Sequence, residues 1–114
     1  MTLTREESEV YTKYHKPGCA SLIRVQLNAI FINTTNSEEH ELAKFKLAWK
    51  LRKMGFNFIT EAVSNIDGRR VDLVNLTEDG IEYELETDPK RAERFKGMKN
   101  VYVVKLWDKS SNTA

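Results

Sequence analysis

The fold is decided by residues 71–87, which read Val71-Asp72-Leu73-Val74-Asn75-Leu76, then Thr77-Glu78-Asp79-Gly80, then Ile81-Glu82-Tyr83-Glu84-Leu85-Glu86-Thr87. The last segment alternates strictly between acidic and other residues, as a strand does when its two faces meet different surroundings. The first segment reads as another strand, with one acid among apolar residues. Because Asp79-Gly80 is a strong hairpin signal, the two strands are expected to pair, with Asp72 close to the acidic face of its neighbour.

Three carboxylates share one face of the second strand, those of Glu82, Glu84 and Glu86. Successive residues on one face of a strand lie roughly 6.5–7 Å apart, so these charges repel one another. A fold tolerates such a row when the face is fully solvated or when a cation sits there. With Asp72 nearby, two or three carboxylates converging from adjacent strands match what Mg²⁺ requires.

Length and composition indicate one domain. The chain has 114 residues and a formal net charge of +1, so its bulk charge argues neither for nor against nucleic acid. The single cysteine, Cys19, excludes an intramolecular disulfide and a Cys-rich zinc site. Neither a membrane span nor a signal peptide is apparent, which predicts a soluble, cytoplasmic protein. We expect one domain over residues 1–107 and a flexible tail over 108–114.

The first third of the chain predicts one helix and one ambiguous segment. Residues 4–7 spell a capping box, so a helix is expected from Arg5 to about His15. Residues 20–33 are apolar and fit either a helix followed by a strand or two short strands.

A second, longer helix is expected to start after Thr35 or Ser37 and to end at Met54. Its inward face carries Glu38 and Glu41 at the N-terminal end, although first-turn acids also arise simply because they complement the helix dipole. Leu42, Trp49 and Leu51 widen the apolar stripe of this helix. Its lysines are expected mostly outside that face, namely Lys44, Lys46, Lys50 and Lys53.

Four side chains receive a purely structural interpretation. His15 and His40 lack the spacing of metal ligands and are expected at the surface. Trp49 and Trp107 are expected in the core.

The remaining elements complete an α/β pattern. Residues 56–60 predict a strand before the hairpin, and Asp88 followed by proline predicts a helix over residues 89–98. Residues 101–107 are nearly all apolar, as in a buried central or parallel strand. The order is helix, three strands, helix, strand, which indicates a sheet with helices on its faces and a crossover before the last strand.

This pattern resembles the PD-(D/E)xK nuclease superfamily, to which restriction endonucleases and archaeal Holliday-junction resolvases belong. The resemblance covers about residues 37–107 and leaves 1–36 as an N-terminal extension. It implies a restriction-endonuclease-like core, a mixed β-sheet flanked by helices in the order α-β-β-β-α-β. It also implies that Asp72 and Glu84 bind the metal and that Glu41, or failing that Glu38, is the helix acid.

Two positions depart from the motif of that family. Val71 replaces the proline before the aspartate, which is common in the family. Glu86 occupies the position of the lysine that activates or orients the attacking water. Some similar enzymes have glutamate there, and others take the lysine from a nearby helix, for which Lys90 is the candidate, with Lys105 behind it. Other members with altered motifs are inactive and serve only in binding.

The predicted function is therefore a metal-dependent nuclease that hydrolyses phosphodiester bonds in DNA with Mg²⁺ or Mn²⁺. Asp72 and Glu84 would hold one ion, while Glu86 would bind a second ion or act as general base. Five basic residues are expected to meet phosphates and to set affinity rather than sequence preference. They are Arg69, Arg70, Lys90, Arg91 and Arg94.

Two other functions stay open. In the first, the fold has lost catalysis and serves as a nucleic-acid-binding or assembly module, which the missing lysine favours. Alternatively, Glu82, Glu84 and Glu86 form an acidic patch for a basic protein. By analogy with the resolvases we expect a homodimer, and we expect neither a membrane partner nor a small-molecule cofactor.

Overall fold

Five strands and three helices make up the part of the chain that the computed structural model describes, residues 2–108. The helices are α1 (Arg5–Tyr11), α2 (Glu38–Lys53) and α3 (Pro89–Ala92), the last followed by a 3₁₀ turn (Glu93–Phe95). The strands are β1 (Tyr14–His15), β2 (Phe58–Ser64), β3 (Arg70–Asn75), β4 (Ile81–Glu86) and β5 (Val101–Lys105). Of the tail predicted at 108–114, all but Asp108 lies outside the described residues.

The strands form one sheet in the order β1-β2-β3-β4-β5. The pairs from β1 to β4 are antiparallel, and β5 returns parallel to β4 after the α3 crossover. The expected mixed α/β sheet is thereby confirmed. Of the two alternatives predicted for the last strand, central or parallel, the parallel one is confirmed, but the strand lies at the edge of the sheet and is only partly buried.

The β3–β4 hairpin is confirmed, and the turn explains why it forms. Asp79 and Gly80 have φ values of 55° and 69°, the left-handed conformations that the tight turn requires and that this dipeptide tolerates. Leu73 pairs with Tyr83 and Asn75 with Ile81.

Each face of the sheet has its own apolar core. On one face the core includes Tyr14, Ile59 and Val74, against which the N-terminal segment packs Val10 and other side chains. On the other face, Ala48 and Leu51 of α2 pack on Phe58 and Leu73 of the sheet. The extension that the sequence left without a role therefore covers one side of the sheet.

The N-terminal segment differs from its prediction in two respects. The helix that begins at Arg5 ends at Tyr11 rather than near His15, because residues 14–15 pair with β2 as a short edge strand. Residues 20–33 form neither of the two predicted arrangements. They form turns and extended loops, held by isolated bonds such as that from the Asn28 N–H to the Phe58 carbonyl at 2.8 Å.

The long helix begins and ends as predicted, and Ala48 and Leu51 are buried on its inner side as expected, but the rest of its buried face differs from the prediction. Ser37 caps it, accepting from the His40 N–H at 3.1 Å, and Met54 follows its last turn. Lys44, expected outside, is fully buried. Trp49, expected in the core, is 60% exposed.

Three smaller differences concern the C-terminal half. The strand expected at 56–60 runs instead over β2, and the helix expected over 89–98 ends after one turn of α3 and the 3₁₀ turn. Gly97, with φ 80°, follows that turn in a conformation that no helix continues. Trp107 is 37% exposed and not enclosed in the core. No helix within residues 2–108 is long and apolar enough to cross a membrane.

Glu7 fastens the N-terminal helix to the sheet. One carboxylate oxygen accepts from the Thr4 N–H at 2.8 Å, which completes the predicted capping box. The other accepts from the Asn57 side-chain amide at 2.8 Å and from the Thr77 hydroxyl. These donors lower the pKa of the buried Glu7 carboxyl, the Thr4 N–H most of all.

We expect Glu7→Gln to lower the free energy of unfolding by about 1–2 kcal/mol, because hydrogen bonds to a buried carboxylate are stronger than those to an amide. Chemical denaturation at neutral pH measures this difference. Glu6→Gln, on the exposed face of the same turn, is the control and should behave like wild type.

The same substitution should make the free energy of unfolding depend less steeply on pH in the acid range. Because the pKa of Glu7 is lower in the folded chain, its contribution is fully present above the ordinary value of 4.5 and is lost as pH falls through the folded value. The difference in free energy of unfolding between wild type and Glu7→Gln should therefore become smaller below pH 4.5. A gap that stays constant down to the acid transition would contradict this role.

Candidate functional site

The site lies where β3 and β4 part. Leu73 and Tyr83 are the last residues of the two strands that pair through their backbones. Beyond them, the Asp72 side chain accepts the hydrogen bond from β4 in place of a backbone carbonyl. Its Oδ2 atom accepts from the Leu85 N–H at 2.8 Å. Asp72 consequently lies beside Glu84, close enough for its charge to act on that carboxyl. The hairpin thus brings together the two acids that the sequence singled out.

His40 links Asp72 to the helix acid Glu41. Its Nε2 atom lies 3.2 Å from Asp72 Oδ2, and its Nδ1 atom lies 2.7 Å from Glu41 Oε2. Burial opposes protonation of this imidazole, but the two carboxylates outweigh burial and raise the pKa of His40. His40 therefore bridges the two acids, and both carboxylates favour its protonated form.

Glu41 is held by donors from several directions. Its Oε1 atom accepts from the Asn33 N–H at 2.7 Å and from Lys44 Nζ at 2.7 Å. Burial alone would raise the pKa of Glu41, but Asn33, Lys44 and His40 lower it to about 2. Glu38, the alternative helix acid, is exposed and takes no part in this cluster.

Lys44 is a buried counter-charge. Its side chain has 0% exposure, and Nζ donates to the Phe31 carbonyl at 2.6 Å besides Glu41. The same atom lies 3.3 Å from an oxygen of Glu61, which adopts a left-handed φ of 51° in β2. A non-glycine residue in that conformation persists only when its surroundings fix it, and the buried ion pair with Lys44 does so here.

The acidic face of β4 is neutralised by a cation from the chain itself. Arg69 donates to Glu82 through Nη2 and to Glu84 through Nη1, the latter at 2.9 Å. Tyr14 donates its hydroxyl to the other oxygen of Glu82 at 2.5 Å. Burial and this carboxylate raise the pKa of Tyr14. The row of acids is thus tolerated because a guanidinium bridges it, whereas we expected Arg69 to contact phosphates.

Glu84 is the one acid of the site whose charge is poorly compensated. It is buried, and burial together with the charge of Asp72 raises its pKa to about 8, although Arg69 opposes this. Burial and the neighbouring Asp72 charge thus both favour the protonated carboxyl. A further positive charge at this position would drive it into the ionised form.

Glu86 and its two lysine candidates lie apart from these contacts. Glu86 Oε1 accepts from the N–H groups of Thr87 at 3.0 Å and Asp88 at 3.1 Å, so this side chain stabilises the turn before α3. Lys90 is exposed in α3, and Lys105 is exposed and opposite Glu86 in the β4–β5 register. Within the described ranges no three Asp, Glu, His or Cys side chains converge as metal ligands.

A cavity rich in basic residues, with Asp67 as its acidic member, lies beside Arg69, the partner of Glu84. It has a volume of about 470 Å³, and its cationic lining comes from Arg69, Arg70 and Arg94. The Arg94 guanidinium lies 4.7 Å from the centre of the Phe95 ring, and Arg70 approaches Glu61 only at 3.8 Å. Arg91, like Lys90, is exposed on α3 and outside this lining.

His40, Lys44 and Glu61 are the site residues that the sequence interpretation missed. Both His40 and Lys44 lie on the line of buried α2 positions that continues through Ala48 and Leu51. This spacing is helical, but the line begins with two polar residues. A search for apolar residues at helical spacing therefore does not find it. Glu61 carried no signal, because its place in the site depends on the backbone bend in β2.

We expect Lys44→Met to lower the free energy of unfolding by about 3–5 kcal/mol, because it leaves Glu41 and Glu61 buried without their shared cation. Lys46→Met, an exposed change on the same helix, should alter stability by less than about 0.5 kcal/mol. Denaturant titration of both variants measures the difference. Equal stability of the two would show that the Lys44 charge is dispensable.

The resemblance to PD-(D/E)xK nucleases rests on the motif residues and their placement in the hairpin. Comparison of this chain with protein-family models, with curated proteins and with solved structures finds no match.

Proposed function

We propose that this protein is a metal-dependent nuclease that hydrolyses phosphodiester bonds in DNA, with Asp72 and Glu84 as the principal ligands of Mg²⁺ or Mn²⁺. One observation carries the proposal: these two acids lie side by side where β3 and β4 part, and His40 ties Asp72 to the helix acid Glu41. The element order from α2 to β5 agrees with a restriction-endonuclease-like core.

The donor set suits a hard cation. Asp72 uses Oδ2 for both of its hydrogen bonds, and Glu84 uses Oε1 for its bond to Arg69. Asp72 Oδ1 and Glu84 Oε2 are the oxygens left for a metal. Proteins commonly bind Mg²⁺ through two carboxylates, while water and substrate phosphate fill the other coordination positions.

The chain's own residues would divide the remaining work. A bound divalent ion supplies polarisation of the phosphoryl oxygen and a water of lowered pKa. Glu41 and His40 orient Asp72, as partners beyond the ligands do in metal sites. Arg70 and Arg94 would bind phosphates at the basic cavity. Glu86 is the candidate general base or ligand of a second ion, and Lys90 is the alternative to it.

A second candidate function has an observation in its favour. Arg69 already places a positive charge on Glu84, at 2.9 Å, where a metal ligand would otherwise need an ion. A protein that carries its own cation there can keep the fold without the metal. In that case the basic cavity would serve a nucleic-acid-binding or assembly module that does not cut.

Cleavage of labelled single-stranded, duplex and branched DNA tests the first function. With Mg²⁺ or Mn²⁺, wild type should cut at least one of these, and Asp72→Asn and Glu84→Gln should lose on the order of 100-fold or more in rate. His40→Asn should lose about 10–100-fold in metal affinity, since it only positions Asp72. Glu93→Gln, an exposed acid near α3, is the matched control and should retain activity.

DNA binding separates the second function from the first. Absence of cutting by folded wild-type protein on every substrate, Mn²⁺ included, would reject the nuclease. Binding that survives Asp72→Asn but weakens in Arg70→Gln and Arg94→Gln, with a shallower salt dependence, would then support the module. Absence of both cutting and binding would reject the two proposals together.

A further inference from the structure

The sheet is wider than the helix that covers it. On one face, α2 packs against Phe58, Leu73 and Tyr83, which belong to β2, β3 and β4. The axis of α2 therefore runs above β3, the middle strand of these three. Neighbouring strands lie about 4.8 Å apart and packed helices about 8–10 Å apart. A second helix beside α2 would consequently lie above β5, which is two strands away from β3.

The strand β5 carries apolar side chains on that same face. Tyr102 pairs with Tyr83 and Val104 with Leu85, so these side chains share the face on which α2 lies. The Tyr102 ring lies 5.8 Å from the Tyr83 ring, yet Tyr102 is 61% exposed. The strand thus presents an apolar surface to water at the place where a second helix would pack.

The flank of α2 supplies a second apolar wall beside β5. Its large side chains are Leu42, Phe45 and Trp49, and Trp49 is 60% exposed. Phe45 stacks on Trp49 with ring centres 6.2 Å apart. These side chains and those of β5 line a groove of about 1220 Å³, which we call the α2–β5 groove. Contiguous apolar surfaces on soluble proteins generally mark interaction sites.

We propose that the α2–β5 groove binds an amphipathic α-helix of another protein, which packs beside α2 and above β5. Along α2 the groove extends from Glu38 to Lys50, about 18 Å at 1.5 Å per residue. That length matches about 12 residues of a partner helix. Its apolar side chains, at helical spacing, would fill the groove, while its polar side chains stay in water.

The charges around the groove favour this kind of partner. Six charged side chains line it, three acids and three lysines, namely Glu38, Glu39, Asp108, Lys46, Lys50 and Lys105. Lys50 and Asp108 already take part in interactions within the chain. Because the signs are mixed and balance, a nucleic acid strand or an anionic membrane would gain little attraction here. An amphipathic helix gains instead from burial of its apolar stripe.

Other polypeptide occupants fill the groove less completely. Within residues 2–108, α1 has 7 residues and α3 has 4, so neither is long enough to fill it. An extended peptide added to the outer edge of β5 would lie beside that strand and not above it. Such a peptide would leave Phe45 and Trp49 in water.

A displayed library of helical peptides, about four turns long, is the probe that tests this partner class. The peptides keep a background of alanine, glutamate and lysine, contain no tryptophan, and vary the residues along one face. Selection on the wild-type chain should enrich apolar residues at those varied positions. A synthetic copy of the best peptide should gain helical circular dichroism on binding. A proline in the middle of that peptide should abolish binding.

Variants of both walls locate the bound peptide. Trp49→Ser on α2 and Tyr102→Ser on β5 should each weaken binding of the labelled peptide by about tenfold or more in fluorescence anisotropy. Ile66→Ser is the matched control, because Ile66 is 83% exposed and lies outside the groove lining. In Trp107→Phe protein, Trp49 is the remaining tryptophan of the two in the chain. Its emission should move to shorter wavelength when the peptide covers it.

Four results would overturn the proposal. The first is a selection that enriches no peptide, and the second is a selected peptide that binds without gaining helical signal, as an added strand would. The third is affinity that neither Trp49→Ser nor Tyr102→Ser lowers. The fourth is a wild-type chain whose own self-association covers Trp49 and excludes the peptide. These variants change no residue of the proposed metal site, so peptide binding and DNA cleavage fail independently.

Discussion

The structure depends on neutralising the acids that the β3–β4 hairpin and α2 bring inside. Removing a carboxylate from water costs several kcal/mol unless a partner of opposite charge is fixed beside it. Three basic side chains provide that partner, two from α2 and one from the residue before β3: Lys44 between Glu41 and Glu61, His40 between Glu41 and Asp72, and Arg69 between Glu82 and Glu84. The position of each element is therefore constrained by charge as well as by apolar packing.

This compensation is uneven, and the unevenness identifies the site. Glu41 has a pKa of about 2, which shows a carboxylate fully matched by donors. Glu84 has a pKa of about 8, because Arg69 is shared with Glu82 while Asp72 adds a second negative charge nearby. Strongly perturbed carboxyls that face one another are typical of functional sites, although ion-pair networks perturb pKa values too. Within residues 2–108, no hydrogen bond engages Asp72 Oδ1 or Glu84 Oε2, so the proposed metal would leave the internal network intact.

Local sequence signals predicted the parts of this fold that local chemistry determines. The Asp79-Gly80 turn, the Ser37 cap and the strand β4 follow from backbone conformation and side-chain period, and all three lie where the sequence indicates, although burial along β4 does not alternate. The burial of Lys44 and His40 was not predicted, because burial of a polar side chain depends on partners in distant segments, such as the Phe31 carbonyl and Asp72. The apolar run of β5 indicated the parallel pairing but not the edge position, since period and composition cannot tell an edge strand from a central one.

The polar start of the buried stripe of α2 also explains what the helix exposes. An ordinary surface helix turns its apolar stripe inward and its charges outward. Here the inward stripe begins with His40 and Lys44, because the acids of the sheet need hydrogen-bond donors. Only the C-terminal part, from Ala48 to Leu51, packs as apolar core. Phe45 and Trp49 are consequently displaced to the outside, where water disfavours them. The polar interior of the site and the apolar exterior of the helix are therefore two consequences of one arrangement.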